Sequence, residues 1–138
     1  MKARLFLILV GFCAICYAQK DNRISTLDFV EILNDNTEET HYYYKNNWQK
    51  LRESALKKGY IHSYEIMETV PTEDSPFHLI LVTTYANQVS YDKREDHFGE
   101  LIEQAGELKL LTAKKPAEFR KILYSKEMVR HWQNTIDQ

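Results

Sequence analysis

Residues 60–85 read YIHSYEIMETV-PTEDSP-FHLILVTTY, and this stretch decides the fold. Tyr60 to Val70 is rich in aromatic and branched residues, the chemistry of a strand. Phe77 to Tyr85 is the strongest strand signal in the chain. Between them, Pro71 to Pro76 is a turn. A strand, a short polar turn and a second strand form an antiparallel hairpin. Pairing symmetrically about Glu73 places Glu68 opposite His78 and His62 opposite Thr84.

Working upstream, Gly59 is a left-handed helix stop, with Lys57 and Lys58 in the last turn before it. The run from Glu39 to Lys58 carries Tyr44, Trp48, Leu51 and Ala55 at helical spacing, an apolar stripe. Asn34-Asp35-Asn36-Thr37 breaks the chain and starts this helix, and Glu38 and Glu39 suit its positive end. Leu27 to Leu33 reads as a first strand.

Downstream, Ala86 to Ala105 reads as a second helix, with Tyr91, Phe98, Leu101, Ile102 and Ala105 on one face and Gly106 as its stop. Lys114-Lys115-Pro116 is a break. The last strand lies either at Phe119 to Tyr124 or at Glu127 to Trp132. The order β-α-β-β-α-β defines an α+β, ferredoxin-like arrangement: a four-stranded antiparallel sheet with two helices on one face. The other sheet face has no cover of its own, and two copies laying these faces together form a homodimer with two-fold symmetry.

Three stretches, WQKLRESALKKGYIHSYEIM (48–67), PFHLILVTTY (76–85) and YDKREDHFGELI (91–102), resemble the dimeric α/β-barrel superfamily. That group includes antibiotic-biosynthesis monooxygenase-like, stress-responsive barrel and NIPSNAP-like domains. The likeness spans about residues 27 to 132 and is closest in character to exported bacterial members. It implies a dimeric α/β barrel. The superfamily holds cofactor-free oxygenases, mutarotases, haem enzymes and proteins with no known reaction, so no catalytic residue is carried over from it.

The N-terminus has its own grammar. Lys2 and Arg4 precede an apolar run from Leu5 to Ala14, and Cys16-Tyr17-Ala18 offers small residues before Gln19. This is the pattern of a secretory signal peptide. The expectation is a signal at 1–18, one domain at 19–138, and an exported protein, periplasmic or secreted. Both cysteines, Cys13 and Cys16, fall inside the signal, so the domain is held by burial and not by disulfides. Removing Lys2 and Arg4 leaves 16 basic residues against 20 acidic ones, a formal charge of −4. That balance argues against a nucleic-acid partner, which needs a basic footprint. After the signal no apolar run is long enough to span a membrane.

Four residues are candidates to line a ligand cleft between the sheets of a dimer: His62, Tyr64, His78 and Tyr85. Ligand pockets combine apolar walls with a few aimed polar groups. The same tyrosines serve equally as core or interface residues. If Leu79, Leu81 and Met67 pack under the helices, parity sends His78, Ile80 and Val82, with His62 and Tyr64, to the partner side. Glu68 beside His78 is either a proton-transfer pair or an ordinary cross-strand pair. His41, Tyr44 and Trp48 form an aromatic edge of core type. Arg94, His97 and Glu100 share a helix face with the spacing of ion pairs. No HExxH, CxxC, GxSxG or glycine-rich phosphate loop occurs, so no metal and no cofactor is expected. Three readings stay open: a small-molecule-binding homodimer taking an apolar or aromatic ligand; a cofactor-free monooxygenase- or isomerase-type enzyme with His62 or His78 as base; and an interaction domain without ligand.

Overall fold

The computed structural model describes residues 21–132; the expected signal segment lies outside the described residues. The central strands are β1 (Ile24–Ile32) and β3 (Leu79–Tyr85), flanked by β2 (Ser63–Glu68) and β4 (Arg120–Arg130). The sheet order is β2-β3-β1-β4, with every neighbouring pair antiparallel. This is the expected ferredoxin-like arrangement. The helical layer comprises α1 (Thr37–Tyr43), a π-helical turn (Tyr44–Trp48), α2 (Gln49–Lys57), α3 (Gln88–Asp92), α4 (Arg94–Ala105) and a short α5 (Pro116–Phe119).

The punctuation residues act as read. Asn34 and Asp35 take left-handed backbone (φ 52° and 56°) ahead of α1, a conformation that Asn and Asp tolerate best among residues with a Cβ. Gly59 (φ 71°) and Gly106 (φ 73°) end α2 and α4. The second helix starts at an Asn87 cap, whose side chain accepts a hydrogen bond from the Ser90 amide (3.0 Å), and is interrupted at Lys93, which departs from helical backbone (φ −84°, ψ 1°) between α3 and α4. The two alternatives for the last strand merge into one. β4 follows β1 along its length, with register shifts and a left-handed Met128 (φ 55°), as a bulged edge strand shows.

The hairpin register corrects one expectation. Glu68 pairs with Leu79 and Ser63 with Thr84, one residue away from symmetry about Glu73. A one-residue slip sends every side chain of a strand to the other face. Tyr64 and Ile66 therefore pack under the helices with Leu79 and Leu81. Ser63, Glu65 and Met67 alternate to the opposite side, so Met67 is not a helix-side residue, and it is 40% exposed. The physical reason is burial. The slipped register hides an aromatic and a branched residue and leaves serine and glutamate outside, which outweighs one methionine.

Under the helices lie two apolar clusters. One joins Ile24, Ala55, Ile61, Tyr85, Tyr91 and Leu101; the other joins Val30, Tyr44, Trp48, Leu79 and Leu81. Leu79 and Leu81 thus meet the helices as expected. The opposite face presents Leu27, Phe29, Ile80 and Val82 by alternation. On it, Phe29 stacks on Tyr124 (4.5 Å) and meets Phe77 edge-on (4.9 Å). Its far end is polar: Ser25 Oγ lies 2.7 Å from Thr84 Oγ1 and 2.8 Å from His131 Nε2.

Candidate functional site

The four expected cleft residues do not converge. His62 is exposed just before β2, where its amide donates to Thr84 O (2.7 Å). Tyr64 lies on the helix side, edge-on to Trp48 at 6.0 Å, so it does not face a partner sheet. His78 sits just before β3, and its Nδ1 accepts the Ile32 amide (3.1 Å). Tyr85 is buried and meets Tyr91 edge-on at 5.5 Å. The acid–histidine contact exists with a different histidine. Glu68 meets His41 at 3.0 Å, and both side chains are exposed.

What the structure brings together is a cleft between the first helical segment and the end of α4. Its volume is about 530 Å³, within the range of small-molecule pockets. Trp48, Leu51, Leu101, Ile102 and Leu108 give it apolar surface. Its ionisable lining is Lys50, Arg52 and Lys109 against a single acid, Glu107. Lys50 is paired with Glu53 (2.8 Å), which leaves Arg52 and Lys109 against Glu107, a small local surplus that contrasts with the chain's net charge of −2.

The π-helical turn shapes this cleft. It inserts one extra residue into the first helix, so the Gln49 amide reaches back to Tyr44 O. Such turns often occur at functional sites. Asn46 and Asn47 donate side-chain hydrogen bonds to the Tyr42 and Tyr43 carbonyls (2.9 Å each). Asn47 also clasps the backbone of Lys109, donating to its carbonyl and accepting from its amide, both at 2.8 Å. That pair of bonds holds the segment after α4 as a wall of the cleft. The two helices are tied together below it. Glu100 accepts hydrogen bonds from Lys58 (2.5 Å) and Tyr60 (3.0 Å), and His97 stacks on Tyr60 at 3.7 Å. The helix face bearing Arg94, His97 and Glu100 is thus engaged with neighbours, not merely solvated.

Arg52 is the chemical centre. Its guanidinium lies over Trp48 at 4.1 Å and over Phe98 at 4.5 Å, held on aromatic faces by cation–π attraction. Its Nε donates to the buried Thr83 hydroxyl at 3.3 Å. No carboxylate lies within ion-pair distance of it among the described residues. Burial pushes its pKa down to about 10, opposed by the fields of Tyr85, Asp28 and Tyr43. It therefore remains a cation at neutral pH. Asp28, on the central strand, instead accepts a hydrogen bond from Ser125 Oγ (2.5 Å).

Two neighbouring donors lack partners. Trp48 Nε1 and Tyr44 Oη are buried with no hydrogen bond among the described residues. Each carries the desolvation penalty of an unmade bond. A half-buried cation without a carboxylate partner and the orphaned Trp48 indole N–H, both in the cleft lining, amount to a local surplus of donors over acceptors. Such a site can bind and orient an acceptor-rich group.

No protein-family model matches the chain, and no curated protein matches it. Two solved structures are similar. One is the crystal structure of HapK from Hahella chejuensis, with a TM-score of 0.53 and 6% identity over 83% of this chain and 99% of that one. The other is an inferred antibiotic biosynthesis monooxygenase from Bacteriodes thetaiotaomicron, with a TM-score of 0.35 and 18% identity over 68% of this chain and 90% of that one. The likeness to HapK is one of fold.

Proposed function

We propose that the protein is an exported homodimer that binds a small molecule in the cleft between the first helical segment and the end of α4. One observation carries the binding reading: Arg52, without a carboxylate partner, is clamped between Trp48 and Phe98 at a cleft of ligand size. A solitary desolvated charge is unfavourable unless something compensates it. The homodimer rests on the apolar sheet face of Leu27, Phe29 and Ile80, each partly exposed. Export rests on the charged start and apolar run of residues 1–18. His62 and His78 both lie away from this cleft's lining, so neither serves it as a base, and binding is the reading that the geometry favours.

The experiment is a screen of one- and two-ring aromatic fragments by nuclear magnetic resonance, run on the native protein and on Ile102→Trp. Ile102 is 56% exposed and lines the cleft, so a larger side chain there occludes it without disturbing the core. Binders should shift the Trp48, Leu101 and Leu108 signals and lose that effect in Ile102→Trp. Shifts elsewhere only, or binding that Ile102→Trp leaves intact, would refute the cleft as the site.

A further inference from the structure

We infer that the occupant of this cleft is a carboxylate borne on an apolar, planar body, with its head group paired to Arg52. The inference rests on the cleft being the binding site and names what fills it.

Three observations point the same way. First, the guanidinium spends its faces on Trp48 and Phe98 and its Nε on Thr83. The two Nη groups make no hydrogen bond among the described residues. A guanidinium held in this manner keeps one edge of its planar fork for an outside partner, and a two-oxygen planar anion matches that edge. Second, the indole N–H of Trp48, a residue of the cleft lining, is buried and unmatched among the described residues, and it can only donate. A ligand that brings an acceptor can satisfy it, whereas a cation or a pure donor cannot. Third, the lining is mixed in a particular manner. Basic groups outnumber acids, and the remaining surface is aliphatic and aromatic. A strongly hydrated inorganic anion gains nothing from Leu51, Leu101 and Leu108. An amphipathic acid uses both parts.

The local framework is built to hold such a head group in place. Arg52 lies one helical turn after Trp48, so the stack is set by spacing within one helix. Thr83 is 2% exposed on the central strand β3, so the Nε contact anchors the guanidinium to the most rigid part of the sheet. The charge is thus preorganised, and a ligand does not have to order it on binding.

The test uses a matched pair of probes, 2-naphthoate and 2-naphthamide, equal in shape and different in charge. Binding is measured by calorimetry and by the Trp48 indole N–H resonance, which is distinct from that of Trp132, 97% exposed. The acid should bind at least about tenfold more tightly than the amide, as a charge-assisted pair requires. Raising the salt should weaken the acid and leave the amide unchanged. Arg52→Gln should bring the ratio to about one, and Arg52→Lys should keep part of it. Should Arg52→Gln fail to fold, the acid–amide ratio and its salt dependence in the unaltered protein decide the matter. Equal binding of both probes with the Trp48 signal shifted would overturn the carboxylate and leave the cleft standing. No shift of Trp48 by either probe would overturn both.

Discussion

The two faces of the sheet are built from the same strands and solved in opposite ways. The helix side is closed by its own chain: Leu79, Leu81, Val30 and Ile24 are each 2% exposed or less. At the edge of this layer, half-buried beside the cleft, the chain sets a cation, Arg52. The other side carries the half-buried Leu27, Phe29 and Ile80 with no helix over them among the described residues, and ends in the polar cluster of Ser25, Thr84 and His131. One face thus sets an unmatched charge against apolar packing, and the other leaves apolar surface without a cover among the described residues. The lesson is that the proposed partners differ in kind: a small acceptor for one face, a broad apolar surface for the other.

The widest separation between the faces should appear in stability. Leu81→Ala removes a fully buried side chain between sheet and helices, and should cost about 2–5 kcal/mol in urea unfolding. Met67→Ala, one residue from the strand end on the opposite face, should change stability by less than about 0.5 kcal/mol. Similar losses from both substitutions would mean that the hairpin register is not the one found.

The open face is tested by charge. Ile80→Glu places a carboxylate at its centre and should leave the helix side intact. Sedimentation should find the native protein dimeric, and Ile80→Glu should raise the dimer dissociation constant at least tenfold, about 1.4 kcal/mol. A native protein that is monomeric at tens of micromolar, or a variant that dimerises equally well, removes the second copy as the cover of this face.

Much of this contrast was legible in the sequence, and the reasons differ by element. Helix ends were plain because Gly59, Gly106 and the Asn34-Asp35 turn occupy backbone conformations that few residues accept. The order of strands followed from the hairpin. The parity of β2 was also present, in the alternation Ser63, Tyr64, Glu65, Ile66. It was obscured by placing the turn midpoint at Glu73, since loop symmetry is a weaker determinant than burial. The cleft was less visible. Arg52 falls in a helix dense with charge, where an arginine reads as solvated. Its only local signal is Trp48 one turn earlier. The π-helical turn has no motif beyond the adjacent Asn46 and Asn47, two indifferent helix formers in mid-helix. The start of that helix was foreshadowed by Asn87, a good cap residue, whereas the break at Lys93 had no sequence signal.

Alkaline pH sharpens the helix-side account. Burial raises the Tyr44 phenol well above the ordinary tyrosine range. The native state therefore keeps a proton that the unfolded chain releases above about pH 10. That contribution to stability is complete below pH 10 and is lost as pH rises beyond it. Tyr85 and Tyr91 are raised by burial and act in the same direction. Arg52, lowered to about 10, acts oppositely, since its native state sheds a proton first; solvent at the cleft weakens that term. Three tyrosines raised by burial, with Tyr60 and the exposed Lys50 and Lys58 also raised by hydrogen bonds to Glu100 and Glu53, stand against one arginine and predict a net fall in stability above pH 10. Tyr44→Phe should make that fall shallower. It also removes a buried hydroxyl that has no partner among the described residues, so stability at pH 7 should hold or rise by about 1 kcal/mol. A loss of that size would mean that the hydroxyl is satisfied in the folded protein.

The smallest effect belongs to the wall of the cleft. The segment that follows Gly106 is held to the first helical segment by the two hydrogen bonds between Asn47 and the Lys109 backbone. Asn47 is set at that spot by the π-helical turn. In Asn47→Ala both Lys109 groups turn to water, which accepts them, so the net loss should be no more than about 1 kcal/mol. The local consequence should be larger than the global one. Amide exchange at Lys109 should rise well above that of the native protein, while Leu79 and Leu81 on β3 keep their protection, because opening of this wall does not require the core to open. Equal acceleration on β3 would show that the wall and the core unfold as one unit. In that case the cleft is part of the same closed layer as Val30 and Trp48, and ligand entry requires the layer itself to open.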